Sequence, residues 1–251
     1  MDRLLYTAMT GATGALNRQA SVAHNLANVA THGYRAEEHR LRAVQVQTHN
    51  ANPAALPTRA FAVDASTHTD FTPGALMHTG NVFDLAVRGQ GWIALAMPDG
   101  SEAYTRNGGF TLSENGILQN AHGIPVQGDG GPITIPPDSR ITIGGDGTIS
   151  AIAAAGPENV VNLVGRIKLV NPPANALLRG ADGFFRMAAG GEAEIDDNVR
   201  VVSGYLENSN VNPVEQMVAM ISLARQFEMQ MRMITTAEAN DRAATQVLAP
   251  R

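Results

Sequence analysis

The chain has 251 residues, of which 44% are hydrophobic and 16% charged, so it has enough apolar residues for a substantial folded core. Its formal net charge of -5 gives no general basic surface, which argues against nucleic acid as a partner. It contains no cysteine, which excludes disulfides, zinc–thiolate sites and cysteine nucleophiles.

Residues 2–31 carry the pattern of a long helix. Gly33, followed by Tyr34 and Arg35, predicts a left-handed stop at its end. At 1.5 Å per residue, thirty residues would make a rod of about 45 Å. Apolar or small residues recur at alternating steps of four and three, a heptad spacing interrupted only by Gln19; they are Leu5, Met9, Ala12, Leu16, Ala23, Leu26 and Ala30.

This predicted helix has almost no charge, since Arg18 is the only formally charged side chain between Leu4 and Tyr34. A helix on the surface of a soluble domain normally keeps a charged outer face. The helix is therefore either buried in its own domain or surrounded by neighbouring subunits. We favour neighbouring subunits, because the centre of the chain offers no obvious helical layer to enclose it.

Four small or polar residues in this helix support close packing. Gly11 and Gly14 each cost about 1 kcal/mol of helix propensity relative to alanine, which close approach of another helix would offset. Asn25 and Asn28 are costly on an exposed helix, and we expect their amides to hydrogen-bond between packed helices.

Residues 44–80 are rich in Thr, Ala, His and Pro and have little periodicity, so 36–80 is expected to form an extended connector. Residues 81–207 are β-rich, with strand patterns at 83–87, 92–97, 110–112, 140–144, 148–152 and 164–170. Asp-Gly or Asn-Gly pairs at 99–100, 107–108, 115–116, 129–130, 146–147 and 182–183 are candidates for type I′ turns. This frequency of turns is typical of an antiparallel sandwich or barrel.

Residues 208–251 contain a second long helix with a strong start signal. Asn212 is a good N-cap, Pro213 suits the first helical position, and Glu215 lies three residues after the cap. Running to Leu248, this helix would be about 55 Å long, similar in scale to the first. Its apolar stripe consists of Met217, Met220, Ala224, Phe227, Met231 and Ile234. The ordinary role of methionines in such a stripe is core packing.

The predicted fold class is α+β. Long N- and C-terminal helices pair as a coiled coil and flank a central, mainly antiparallel β domain. The predicted domains are an axial core of 1–35 with 208–251, a connector at 36–80 and an outer β domain at 81–207.

Sequence motifs for catalysis are missing: there is no G-x-S-x-G, H-E-x-x-H, Walker A or complete G-x-G-x-x-G. The acidic residues Glu192, Glu194, Asp196 and Asp197 lack the register of a calcium loop and are expected to be solvated. We therefore predict no enzymatic activity, no cofactor and no metal site. We find no cleavable secretory signal and no run near the roughly 20 apolar residues of a membrane span, so we expect a cytoplasmic protein or one exported by another route.

Five stretches, in order along the chain, resemble motifs of the flagellar rod and hook proteins. They are NLAN (25–28) with THGYR (31–35), LAV (85–87) with GQGW (89–92), DG (99–100) with YTRNG (104–108), LENSNV (206–211) and RQFE (225–228). His24 stands where the family usually has asparagine, and Trp92-Ile93 replaces an aromatic pair. Within the family, the opening residues, the length and the closing helix are most similar to a proximal rod member.

The resemblance implies a structural subunit of the bacterial flagellar basal body, exported by the flagellum's own type III apparatus without a cleaved signal. Its partners would be other rod proteins, copies of itself, the export apparatus and the basal-body rings. Its terminal helices would form an axial tube that transmits torque from motor to hook, with the β domain outward.

Two alternatives remain open. One is a distal rod or hook-family axial protein. The other is an envelope carbohydrate-binding or peptidoglycan-acting protein, which should display a carboxylate pair or a metal cluster in a cleft.

Overall fold

The structure, a computed structural model, describes residues 2–45, 60–153 and 161–248. The chain divides into two compact units. The helical unit takes in the described parts of 1–29, 35–70 and 211–251, and the β unit those of 30–34 and 71–210. Each unit is described by itself below.

The helical unit contains two long helices, α1 (Asp2–Ala27) and α2 (Pro213–Leu248), which pack against each other. α1 ends four residues before the predicted end at residue 31. The Asn28 side chain donates to the carbonyl of His24 at 2.9 Å, and its backbone N–H is shared between the carbonyls of His24 and Asn25. An asparagine side chain that competes for a helix carbonyl favours termination. The predicted helix stop at Gly33 is therefore wrong: Gly33 has φ 68° but lies in a later turn.

A β-hairpin completes the helical unit where we expected an extended connector. Strands β1 (Glu37–Gln45) and β2 (Ala60–Thr69) pair antiparallel, from Glu37 opposite Thr69 to Gln45 opposite Ala60, and both contact α1. The part of the expected connector at 46–59 lies outside the described residues. The pairing was missed because neither strand has a clean alternation of apolar and polar residues.

The β unit contains sixteen strands in the described part of the chain, and every strand pair is antiparallel. The strands are β3 (Leu76–His78), β4 (Leu85–Arg88), β5 (Trp92–Ala96), β6 (Glu102–Thr105), β7 (Phe110–Leu112), β8 (Leu118–Asn120), β9 (Gln127–Gly128), β10 (Gly131–Pro132), β11 (Ser139–Ile143), β12 (Thr148–Ala153), β13 (Val161–Arg166), β14 (Leu169–Val170), β15 (Leu177–Arg179), β16 (Phe185–Met187), β17 (Arg200–Ser203) and β18 (Tyr205–Glu207).

The largest sheet has five strands in the order β14-β5-β6-β16-β15, and a second has three in the order β11-β12-β13. The remaining strands pair in twos as β17-β4, β18-β3, β7-β8 and β10-β9. All six strand patterns identified in the sequence fall on strands, and 164–170 covers the end of β13 and all of β14. The predicted arrangement of two terminal helices around an antiparallel β region is confirmed.

Strand β5 joins two buried clusters of the β unit. Ile93 and Leu95 belong to one, while Trp92 and Ala94 belong to the other. Because successive side chains of a strand point to opposite faces, a strand buried on both faces shows an unbroken apolar run. Each fully buried Ile or Leu contributes about 1.5–3 kcal/mol. The core of the β unit is therefore organised around this strand.

The predicted type I′ turns are wrong. At Gly100, Gly116, Gly147 and Gly183 the glycine has positive φ and donates its N–H to the carbonyl three residues earlier. The preceding Asp or Asn does not have positive φ, since Asp138 is the only such non-glycine residue in the described chain. This pattern indicates type I turns followed by a G1 bulge. In the pairs at 107–108 and 129–130 the glycines, Gly108 and Gly130, do not have positive φ.

Candidate assembly interface

One face of α1 packs within the helical unit and is made of small residues. Ala8, Ala12 and Ala15 are buried at steps of four and three. A Cβ added at Gly11 would lie 3.0 Å from Gln230 Cδ on α2, and one at Gly14 would lie 3.0 Å from Leu41 Cδ1 on β1. Gly11 thus allows α2 to approach α1 closely, and Gly14 allows β1 of the hairpin to do so. Both neighbours belong to the same chain.

A second face of α1 is exposed and also apolar. Tyr6, Met9 and Leu16 are 58%, 47% and 48% exposed. They belong to a stripe of exposed residues at alternating steps of three and four, which we call the outer stripe: Tyr6, Met9, Thr13, Leu16, Ala20, Ala23 and Ala27. Exposed apolar stripes of this kind mark interaction sites on soluble proteins. The heptad spacing is the one that a second helix would match.

The structure divides the predicted α1 seam between these two faces. Met9, Leu16 and Ala23 fall on the outer stripe, Ala12 is buried, and Leu5 and Leu26 are half-buried. Both faces have a heptad spacing, and the two are offset by one position. The single seam predicted from the sequence therefore contains residues from both faces. The sequence signal for a second apolar face is the lack of charge around most of the helix. A helix with a single buried face would normally be charged on the opposite side.

The predicted stripe of α2 is divided in the same way. Met220, Ala224, Phe227 and Ile234 are half-buried, whereas Met217 and Met231 are exposed. The fully buried positions of α2, Leu223 and Ala237, were not predicted. Five further large apolar residues of α2 are exposed: Val214, Val218, Ile221, Met229 and Met233.

The start of α2 has the geometry of a capped helix. The backbone N–H groups of Val214 and Glu215 donate to Asn212 Oδ1 at 3.0 and 3.4 Å, and Pro213 is the first helical residue. These contacts satisfy two of the four N–H groups that a helix start leaves without an intrahelical partner.

Asn25 brackets the start of the hairpin rather than bridging two helices. Its Nδ2 donates to the carbonyl of Glu37 and its Oδ1 accepts the N–H of Glu37, both at 2.9 Å. Next to it, the Nδ1 of His24 lies 3.8 Å from Glu37 Oε2. Because Asn28 donates to His24, both asparagines use their amides on the backbone of the same chain.

The β unit holds two buried polar networks that sequence reasoning missed, and the first surrounds Lys168. Lys168 Nζ lies 2.5 Å from Glu102 Oε1 and 3.1 Å from Glu192 Oε2. Tyr104 donates its hydroxyl to Glu102 and accepts the N–H of Ala193. Burial raises the pKa of Tyr104 to about 12. Burial alone lowers the pKa of Lys168, but the bonds and charges of the two glutamates outweigh it and raise that pKa.

Three of the four acidic residues at 192–197 contact protein groups. Glu192 pairs with Lys168, Asp197 lies 2.6 Å from Arg166, and Asp196 accepts from Asn198. Across residues 2–45, 60–153 and 161–248, no group of three or more His, Cys, Asp or Glu side chains is placed to hold a metal ion. Neither α1 nor α2, as described, has a stretch apolar and long enough to cross a membrane.

Two family models match the chain. The model for the C-terminal part of flagellar basal body rod FlgEFG proteins matches residues 202–247, which cover α2 up to its last residue but one. The model for the D1 domain of flagellar hook proteins FlgE/F/G matches residues 86–151 of the β unit.

Relatives match over almost the whole length. The flagellar basal-body rod protein FlgF of Salmonella typhimurium is 45% identical over 254 residues, which cover 99% of each chain. FlgF of Escherichia coli is 44% identical with the same coverage. A flagellar basal-body rod protein FlgG from Buchnera aphidicola is 29% identical over 93% of this chain and 95% of the relative. The similarity to these FlgF proteins is thus considerably higher than to this FlgG protein.

Proposed function

This chain belongs to the flagellar basal-body rod protein family, and from that premise we propose that it is a structural subunit of the proximal rod, which polymerises through its terminal helices into the shaft that carries torque from motor to hook. The observation that carries the proposal is the outer stripe of α1. Its seven positions are exposed, carry no charge and follow a helical heptad spacing.

Within one subunit, we propose that α1 and α2 pair as a coiled coil. The buried positions of α1 step by four and three, and Leu223, Gln230 and Ala237 of α2 are seven residues apart, with Gln230 beside Gly11. Heptad spacing on both partners supports left-handed pairing with small residues at the closest approach.

Between subunits, the outer stripe would pack against helices of neighbouring rod proteins or of further copies of this chain. Burial of apolar surface stabilises an interface by about 25 cal/mol per Å². Tyr6, Met9 and Leu16, with Met217 and Met231 of α2, offer large apolar side chains for this contact. In this assembly residues 1–35 and 208–251 would form the axial core and 81–207 the outer domain.

The proposed location is the flagellar basal body, in keeping with the relatives, which are named basal-body rod proteins. We propose export through the flagellar type III apparatus without a cleaved signal, and contacts with the basal-body rings. Both proposals rest on the resemblance of the motifs at both ends of the chain to those of the flagellar rod and hook proteins.

A structural role also agrees with the buried carboxylates of the β unit. A glycosidase acting on peptidoglycan ordinarily uses two carboxyl groups that flank the bond it cleaves. Glu102 and Glu207, the buried acidic residues of the described chain, are each held by a cation, Lys168 and Arg106 respectively. Each of these carboxylates therefore has a cationic partner within the β unit.

The Leu16→Asp variant tests the outer stripe. A charge there should prevent incorporation into the rod, because burying an unpaired carboxylate in a helix interface is strongly unfavourable. Since Leu16 is half exposed in the free chain, the free energy of unfolding should change by no more than about 1 kcal/mol. Incorporation is measured in purified basal bodies, and function by swimming in a strain without the wild-type gene.

Leu178→Asp is the matched control, since Leu178 is 59% exposed but lies on β15 of the β unit. It should enter basal bodies normally. Equal incorporation of the Leu16→Asp variant and the wild-type chain would refute the outer stripe as an interface.

A further inference from the structure

A buried ion pair lies at the centre of the second polar network of the β unit. Glu207 on β18 is 0% exposed and Arg106, which follows β6, is 3% exposed. Their closest atoms, Arg106 Nη1 and Glu207 Oε2, are 3.0 Å apart. The guanidinium also donates to the carbonyls of Val87 at 3.1 Å and Gly89 at 2.5 Å. Arg106 is thereby fixed to the end of β4.

Glu207 holds two chain segments that are distant in sequence. Its Oε1 accepts the N–H of Gly74 at 2.9 Å, and its backbone carbonyl accepts the N–H of Gly33 at 2.7 Å. Gly33 lies in the segment 30–34 that follows α1, and Gly74 lies in the segment 71–75 that precedes β3. One residue thus anchors both segments.

The two glycines are seated directly on the backbone beside the ion pair. A Cβ added at Gly33 would lie 2.3 Å from the Arg106 carbonyl carbon, and one at Gly74 would lie 2.0 Å from the carbonyl oxygen of Asn208. No side chain fits at either position, so the close approach requires glycine.

Asn210 repeats the connection three residues later. Its N–H donates to the Tyr34 carbonyl at 3.4 Å, and its side chain donates to the Thr72 carbonyl at 3.1 Å. Tyr34 is itself buried, and the Arg179 guanidinium lies over its ring at 4.5 Å. Cation–π contacts of this kind contribute most when they are desolvated. Glu207 and Asn210 therefore hold the same two segments.

We propose that Arg106 and Glu207 form a clamp that fixes the segments 30–34 and 71–75 to the β unit, and that this clamp positions the chain for transmission of force in the rod. The mechanical part rests on the proposed rod function. The anchoring itself is a property of the isolated chain. Glu207 and Arg106 act as positioning residues, and the burial of the pair makes the anchor stiff because neither side chain has room to change rotamer.

The β unit provides a matched control in its other buried ion pair. Glu102 and Lys168 are 6% and 8% exposed, comparable to the clamp. Glu102 contacts Lys168 and Tyr104, and neither of these contacts lies in 30–34 or 71–75. Both pairs should stabilise the fold, but only Arg106 and Glu207 should control the two anchored segments.

Native-state hydrogen exchange of the wild-type chain gives the first test. If one clamp anchors both segments, the amides of Gly33 and Gly74 should open in a single event with the same dependence on denaturant. Opening of the two amides in separate events would overturn the clamp. This measurement needs no variant and decides the question even if a substituted chain fails to fold.

The Glu207→Asp variant gives the second test. It keeps the buried charge but withdraws the carboxylate by one methylene, so that it cannot reach both Arg106 and Gly74. Exchange at Gly74 should accelerate by about tenfold or more, the loss expected for a hydrogen bond to a charged group. Exchange at Gly33, whose N–H is bonded to the backbone carbonyl of Glu207, should accelerate with it because one event opens both segments. Glu102→Asp should leave both amides unchanged. Equal effects of the two variants, or unchanged exchange in Glu207→Asp, would contradict the proposal.

Measurements of swimming distinguish the anchoring of the two segments from the proposed mechanical role of the clamp in the rod. A folded Glu207→Asp chain that enters basal bodies should support weaker swimming than Glu102→Asp. If its exchange accelerates while swimming stays at the wild-type level, the anchoring holds and its mechanical role is refuted. A failure of the rod proposal would instead appear as absence of the wild-type chain from purified basal bodies, a result that leaves the exchange measurements on the clamp unaffected.

Discussion

Gly33 shows how a single residue can be required for two independent reasons. Its φ of 68° lies in the left-handed region, which costs a residue with a side chain about 1–2 kcal/mol. It also lies on the peptide between Arg106 and Asn107, where a Cβ would be 2.3 Å from two backbone atoms. Backbone atoms cannot move aside as the end of a flexible side chain can.

The Gly33→Ala variant should therefore lose more stability than the conformation alone explains. Gly123 is the matched control, because it has φ 76° but no atom within 4 Å of an added Cβ. We expect a loss of about 1 kcal/mol for Gly123→Ala and at least about 3 kcal/mol for Gly33→Ala. Urea unfolding followed by the fluorescence of Trp92 measures both. Equal losses in the two variants would show that the close contact at Gly33 relaxes freely.

Residues with a local role were recognisable in the sequence, and residues with a distant partner were not. Asn212 and Pro213 lie within three residues of the helix start that they stabilise, so the local sequence pattern indicates their role. Arg106 and Glu207 are 101 residues apart, and each alone is an ordinary charged residue in a β-rich segment. No spacing rule joins them, because the fold brings them together.

At the scale of elements, α1 combines two apolar faces in one helix. The inner face has alanines and admits α2 and the hairpin closely, while the outer stripe has larger residues in its N-terminal half. A surface helix needs only one apolar face to fold onto its own unit. The second face therefore needs another partner, which supports assembly.

The N-cap of α2 gives a prediction at this scale. Asn212→Ala removes the acceptor of the Val214 and Glu215 N–H groups and should lower the free energy of unfolding of the helical unit by about 1 kcal/mol. Far-UV circular dichroism during thermal unfolding measures the loss. Asn240→Ala, an exposed change within α2, should be neutral or slightly stabilising. A loss as large in Asn240→Ala would mean that capping is not the cause.

Long periodic helices and apolar strands were predictable, whereas pairing and turn type were not. The hairpin β1-β2 depends on a register between residues up to 32 positions apart, from Glu37 to Thr69, that no local pattern encodes. Asp-Gly pairs marked the turns correctly. The turn type depends on the residues before the glycine. At Gly100, for example, the N–H donates to the carbonyl of Met97.

At the scale of the whole molecule, the chain is a structural subunit of the flagellar basal-body rod. The β unit has clusters of fully buried side chains, whereas the helical unit leaves a large apolar surface exposed on both helices. Helical stability in proteins depends mainly on packing of an apolar face. We therefore expect neighbours in the rod to stabilise the helical unit more than the β unit.

Limited proteolysis of dilute monomer should trim both ends and leave a resistant core near residues 70–205. Trypsin should cut first at exposed Arg18 in α1 and at Arg225 and Arg232 in α2. The fragments are identified by mass spectrometry, and chains in purified basal bodies serve as the control, where the same sites should be protected. Termini that resist trypsin as well as the β unit in the monomer would rule out stabilisation by assembly.

The bracket formed by Asn25 has a consequence for how the family can vary. Asn25 is hydrogen-bonded to the main-chain N–H and carbonyl of residue 37, and these two bonds set no condition on which side chain stands there. In a saturation library selected for swimming, position 25 should admit almost no replacement, because both an amide donor and an acceptor are needed. Position 37 should drift widely, and His24 should drift with it as its charged neighbour changes.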